Sequence, residues 1–163
     1  MWKEYNMARA RVLESNSGAF NKNVHGLVVV QDATTTRALV ADQSGSLVIL
    51  RATGGDTNVN LPAASGNEGV YYEFMVNEAL DGIVTIQAKD GTDFFLGTVF
   101  DGETATPANV AFDGAADDEL IIASGAAAGE VYIKCVSDGN NWLVVGNAAD
   151  VSDISAGQAS SNV

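Results

Sequence analysis

Glu130-Val131-Tyr132-Ile133-Lys134-Cys135-Val136-Ser137-Asp138-Gly139-Asn140-Asn141-Trp142-Leu143-Val144-Val145-Gly146 is the stretch that decides the fold class. In its first half Val131, Ile133 and Cys135 alternate with Tyr132, Lys134 and Val136, the period of two that marks a strand with unlike faces. Ser137-Asp138-Gly139-Asn140 then reads as a tight turn, because Asp-Gly accepts the positive φ angles such turns need. The apolar run Trp142-Leu143-Val144-Val145 returns as a second strand. Residues 130–146 therefore predict a β-hairpin.

The same pattern extends in both directions. Runs rich in Val, Ile, Thr and aromatics predict strands at 27–31, 35–41, 46–53, 58–61, 70–77, 82–88, 93–100, 108–112, 118–123, 130–136 and 141–146. Asp-Gly pairs stand at 81–82, 90–91, 101–102, 113–114 and 138–139. Pro62 and Pro107 fall at strand boundaries, where a missing N–H does least harm. Short strands at this spacing predict an all-β chain, an antiparallel β-sandwich or a jelly-roll-like barrel. Residues 69–76 (GVYYEFMV), Asp81-Gly82 and IVTIQA echo the 130–146 pattern and predict a second, equivalent hairpin.

Three regions follow. Residues 1–26 form an N-terminal arm, 27–147 the sandwich, and 148–163 a small, polar tail without pattern. Within the arm Trp2, Tyr5, Arg9, Val12 and Leu13 recur at steps of three and four, as on one face of a short helix. Residues 15–26 (SNSGAFNKNVHG) read as an extended connector.

The chain has 163 residues, enough for one domain with its own core, and 47% of them are hydrophobic. Its formal net charge is −13, which argues against a nucleic-acid partner, since phosphate binding needs a cationic face. The charge is uneven: six basic and four acidic residues lie up to Arg51, against two basic and seventeen acidic beyond it. An arm opposite in sign to its body suggests different surroundings for the two. One cysteine, Cys135, excludes an intrachain disulfide or a multi-cysteine zinc site, and one histidine, His25, excludes multi-histidine metal motifs. No apolar run reaches the roughly 18 residues of a membrane-crossing helix, so no membrane partner is expected. Met1-Trp2-Lys3-Glu4-Tyr5 does not read as a secretory signal.

Motifs of nucleotide, metal and nucleophile chemistry are missing from the sequence, and no catalytic residue, cofactor or metal is assigned. Cys135 reads as a buried inert thiol. Asp113, Asp117, Asp118 and Glu119 form an acidic cluster whose spacing matches no EF-hand loop, so it reads as a solvated loop rather than a calcium site. Asp90, Asp93 and Asp101 could supply a glycosidase-like carboxylate pair, a signal any acidic β-protein offers. Phe94, Phe95, Phe100, Phe112, Tyr71, Tyr132 and Trp142 lie in predicted strands and are assigned to core or subunit packing. The arm is different. Trp, Tyr and Arg are enriched at interface hot spots, and Trp2, Tyr5, Arg9, Arg11 and Phe20 are the candidate partner-binding residues.

Residues 58–147 also carry a resemblance. Val59-Asn60-Leu61-Pro62-Ala63-Ala64-Ser65-Gly66 precedes the strand Gly69-Val70-Tyr71-Tyr72-Glu73-Phe74-Met75-Val76, and Asp138-Gly139-Asn140-Asn141-Trp142-Leu143-Val144-Val145-Gly146 closes the segment. This run resembles the β-rich modules of tailed-bacteriophage virion proteins, among them capsid decoration (cement) proteins and tail or head fibres. The resemblance implies a structural, non-enzymatic protein on the capsid surface of a virion, bound to the major capsid protein and forming a homo-oligomer, often a trimer. The alternative it leaves is a short fibre or receptor-binding module, with loops 101–107 and 113–118 reading a cell surface.

Overall fold

The computed structural model describes residues 27–30, 36–89, 92–102 and 108–158. Two β-sheets pack face to face in an all-β, sandwich-like fold. The larger holds seven strands in the order β1 (Leu27–Val30), β3 (Ser46–Leu50), β5 (Tyr71–Val76), β10 (Val131–Ser137), β11 (Trp142–Ala148), β7 (Phe95–Asp101) and β8 (Asn109–Asp113). The smaller holds five: β12 (Ile154–Gly157), β9 (Glu119–Ile122), β6 (Val84–Gln87), β4 (Thr57–Asn60) and β2 (Thr36–Ala38).

Alternation in the sequence becomes burial in the fold. Tyr72, Phe74 and Val76 of β5 and Val131, Ile133 and Cys135 of β10 point between the sheets, while the residues between them face outward. Val59, Val84, Ile86, Leu120 and Ile122 meet them from the smaller sheet. Tyr72 and Trp142 pack with ring centroids 5.9 Å apart, and Phe95 meets Phe112 edge-on at 5.9 Å. The Tyr72 hydroxyl donates to the Val40 carbonyl at 2.7 Å, so its polar end is satisfied while its ring is buried. Fully burying each large side chain contributes about 1.5–3 kcal/mol before conformational entropy is subtracted.

The all-β sandwich expected from the sequence forms, but its pairing is corrected from antiparallel to mixed in both sheets. From β1 to β6 the chain crosses between sheets at every connection, so β1, β3 and β5 lie parallel in one sheet and β2, β4 and β6 parallel in the other. Each strand of one sheet serves as the crossover for the other, which is how parallel neighbours can be joined by short segments. The corners of this winding stack on one another. Asp81 and Gly82 both donate their N–H to the Ala52 carbonyl, at 2.9 and 3.1 Å. A Cβ on Gly82 would lie 2.1 Å from the Gly55 backbone, so only glycine permits that approach.

Asp81-Gly82 is therefore a corner between sheets and not a hairpin turn. The second hairpin expected from the sequence echo is absent from the described fold: β5 belongs to the larger sheet and β6 to the smaller. Leu80, buried beside that corner, anchors the crossing. The 130–146 hairpin forms as read, with Ser137 opposite Trp142 and Gly139 at φ 94°. Its turn is held by Asp138, whose Oδ1 accepts from the N–H groups of Asn140 and Asn141 at 2.8 and 2.7 Å.

The boundary expected at residue 147 is also corrected. β11 runs to Ala148, Asp150 caps a short 3-10 turn at Val151–Asp153, and β12 pairs antiparallel with β9. Ile154, buried in the core, draws this segment onto the sheet edge. The arm, residues 1–26, lies outside the described residues.

Candidate functional site

Three of the carboxylates singled out in the sequence, Asp93, Asp113 and Asp117, accept hydrogen bonds from the backbone. Asp93 is buried, and its Oδ2 accepts from the Ala64 N–H at 2.7 Å. The Ser137 hydroxyl donates to the Ala64 carbonyl at 3.0 Å. Asp93 and Ser137 thus hold the N–H and the carbonyl of Ala64, tying the Leu61-Pro62-Ala63-Ala64 turn to the approach to β7 and to the end of β10. This is a structural role for Asp93, one member of the conceivable glycosidase pair. Asp101 ends β7, and Asp90 lies outside the described residues.

In the acidic loop, Asp113 Oδ1 accepts from the N–H groups of Ala115 and Ala116 at 2.8 and 3.0 Å, and Asp117 Oδ2 accepts from the Asp113 N–H at 2.9 Å. The Ala115 and then Ala116 donors hold the Asp113 carboxyl below its ordinary value. Those of Asn141 and Asn140 do the same for Asp138. Glu119 moves the other way, raised first by burial and then by the neighbouring Asp118. Among the described residues no group of three His, Cys, Asp or Glu side chains comes together to hold a metal ion. Cys135 is fully buried and burial pushes its thiol up, so the thiolate is disfavoured.

What remains is a surface. The outer faces of the two sheets differ in kind. On the smaller sheet, the register lines up Thr36, Asn58 and Thr85 in one row and Asn60, Gln87 and Glu119 in the next, with Ile121 and Ser155 completing the first. On the larger sheet the outer rows hold Glu73, Lys134, Thr98 and Asn147, but four large apolar side chains are exposed beside them on β7 and β11. Phe100 and Val145 are each 53% exposed, Leu96 40% and Leu143 38%. Leu143 stands beside Val136 on one side and Leu96 on the other, while half-buried Met75 pairs with Tyr132 nearby. The charges at the centre of this face neutralise each other: Lys134 Nζ lies 3.6 Å from Glu73 Oε1 and 4.4 Å from the centre of the Tyr71 ring.

Of the strand aromatics assigned to packing, Phe95, Phe112 and Trp142 are buried, Phe94, Tyr71 and Tyr132 half-buried, and Phe100 exposed. The exposed face was not singled out in the sequence, although a signal was there. Trp142-Leu143-Val144-Val145 is apolar at every position, and a strand apolar on both faces is one that sheets normally cover on both sides. The arm residues Trp2, Tyr5, Arg9, Arg11 and Phe20 lie outside the described residues.

No protein-family model, curated protein or solved structure matches the chain.

Proposed function

We propose that the chain is a capsid decoration protein of a tailed bacteriophage, bound to the outer surface of the shell and stabilising it by bridging major capsid proteins. The observation that carries the reading is where its resemblance to virion modules falls. The Leu61-Pro62-Ala63-Ala64 turn and the Asp138-Gly139-Asn140-Asn141-Trp142 turn are the elements that lock this fold, through Asp93, Ser137 and buried Trp142. The resemblance thus falls on turn and core residues of the fold, which supports a structural role. The acidic composition suits a particle surface, because like charges keep particles apart.

In this reading the arm, through Trp2, Tyr5, Arg9, Arg11 and Phe20, holds the shell while the acidic body faces solvent. Each copy buries surface on more than one shell protein, so rupture of the shell has to expose those contacts as well. A homotrimer would present three arms to one shell position and multiply their effective affinity. The test is to add purified protein to shells lacking it. Full-length protein should bind and raise the temperature at which the shells open, and a chain without residues 1–14 should fold but fail to bind. Equal binding by the truncated chain would overturn the arm's role, and no binding by either would overturn the decoration reading.

A further inference from the structure

Leu96, Leu143, Val145 and Phe100 leave adjoining apolar side chains exposed on β7 and β11 at one side of the larger sheet's outer face, and clustered exposed apolar side chains mark a contact surface. We propose that in the free protein these side chains are covered by the chain's own N-terminal segment, residues 1–14. Three observations point to it. The first is the tether. The chain enters this sheet at Leu27, and the register carries one row from Leu27 through Leu47, Glu73 and Lys134 to Val145. Those four strand spacings amount to about 19 Å, and the twelve residues of the connector 15–26 reach about 40 Å when extended. The second is composition: Trp2, Tyr5, Val12 and Leu13 give residues 1–14 four large apolar side chains to offer such a face.

The third is charge. Residues 1–26 carry four basic and two acidic side chains on a molecule of net charge −13. One end of the face is rimmed by carboxylates. Asp113 pairs in register with Leu96, and Asp138 sits in the turn between Val136 and Leu143. Gly114 lies against both Leu96 and Asn141, so these two acidic turns adjoin. Backbone N–H groups hold both carboxyls ionised, which suits Arg9 and Arg11 at the rim while the apolar anchors take the centre. The inference stands apart from the capsid reading. Where both hold, the shell and the sheet face compete for one arm.

Limited trypsin digestion of the isolated full chain tests it, with cleavage after Arg9 and Arg11 followed by mass spectrometry. The comparison is Leu143→Thr/Val145→Thr, which removes apolar surface but keeps β-propensity. Leu96→Thr on the adjacent strand repeats the test, and circular dichroism checks that each variant is folded. Cleavage of the arm should be at least tenfold slower in the wild type than in the folded variants, at a rate independent of protein concentration. Equal rates in wild type and variants would overturn the proposal. Protection that grows with concentration would overturn it too, by assigning the face to a second copy.

Discussion

Replacing Asp93 by Ala removes the acceptor that reaches the Ala64 N–H across 29 residues of chain, inside a buried site. The donor stays behind, and Ala64 is fully buried, so water cannot replace the lost partner without opening the turn. A hydrogen bond to a charged group is worth about 1.5–3 kcal/mol, and a stranded buried donor costs about the same, so the expected loss is about 2–3 kcal/mol. For a chain of this size that lowers Tm by about 5–10 °C. In urea the midpoint should fall by about 1 M, with m unchanged, if m is about 2 kcal/mol/M. Asp93→Asn keeps an oxygen acceptor and should recover about half of the loss, since neutral hydrogen bonds are about half as strong. Ser137→Ala acts on the carbonyl of the same residue, so the double variant should depart from additivity by at least about 0.5 kcal/mol. An Asp93→Ala protein within about 0.5 kcal/mol of wild type would refute this hold on Ala64 and reopen Asp93 to another role.

Two further outcomes follow from the same geometry. Gly97 has φ 146°, and a Cβ there would sit 1.9 Å from the Val144 carbonyl oxygen, so Gly97→Ala has to part β7 from its parallel neighbour β11. It should cost about 4 kcal/mol or more and abolish the near-ultraviolet dichroism of the packed core; a near-native spectrum and Tm would contradict the close approach. Stability should also peak on the acid side of neutrality. Asp113, Asp138 and Asp150 have lowered folded values, so their contribution is present above the ordinary 3.8 and is lost as pH falls through the folded values. Glu119 and Asp153 are raised, chiefly by burial, so their ionisation destabilises the fold as pH rises past the ordinary 4.5 and 3.8 respectively. Thermal scans should show Tm falling as pH drops below 3.8, and no rise in Tm as pH climbs from 5 to 7.5. A Tm that climbs steadily to pH 7.5 would contradict this assignment.

Strand positions were legible because alternation is a local property: in Val131 to Val136, each side chain declares its face. Pairing direction was not, because it depends on where a corner sends the chain. Asp81-Gly82 and Asp138-Gly139 look alike in sequence, yet one crosses between sheets and the other closes a hairpin. The difference lies in Leu80 and in the stacked backbone of Gly55, which a linear reading cannot bring together. β12 was missed because Ile154-Ser155-Ala156-Gly157 has one large apolar residue and weak strand propensity; the edge of β9 and the core pocket for Ile154 outweigh that weakness. Asp93 looked like a free carboxylate because its partner, the Ala64 N–H, leaves no mark in composition or spacing. The exposed apolar patch was written in Leu143 and Val145, but a two-faced apolar strand reads equally well as a strand buried on both sides.

The most direct test of the decoration role is copy number in purified virions, measured by quantitative mass spectrometry against the major shell protein. A decoration protein should be present in a number comparable with that of the shell protein. A handful of copies per particle would contradict that role and place the chain in a tail or fibre.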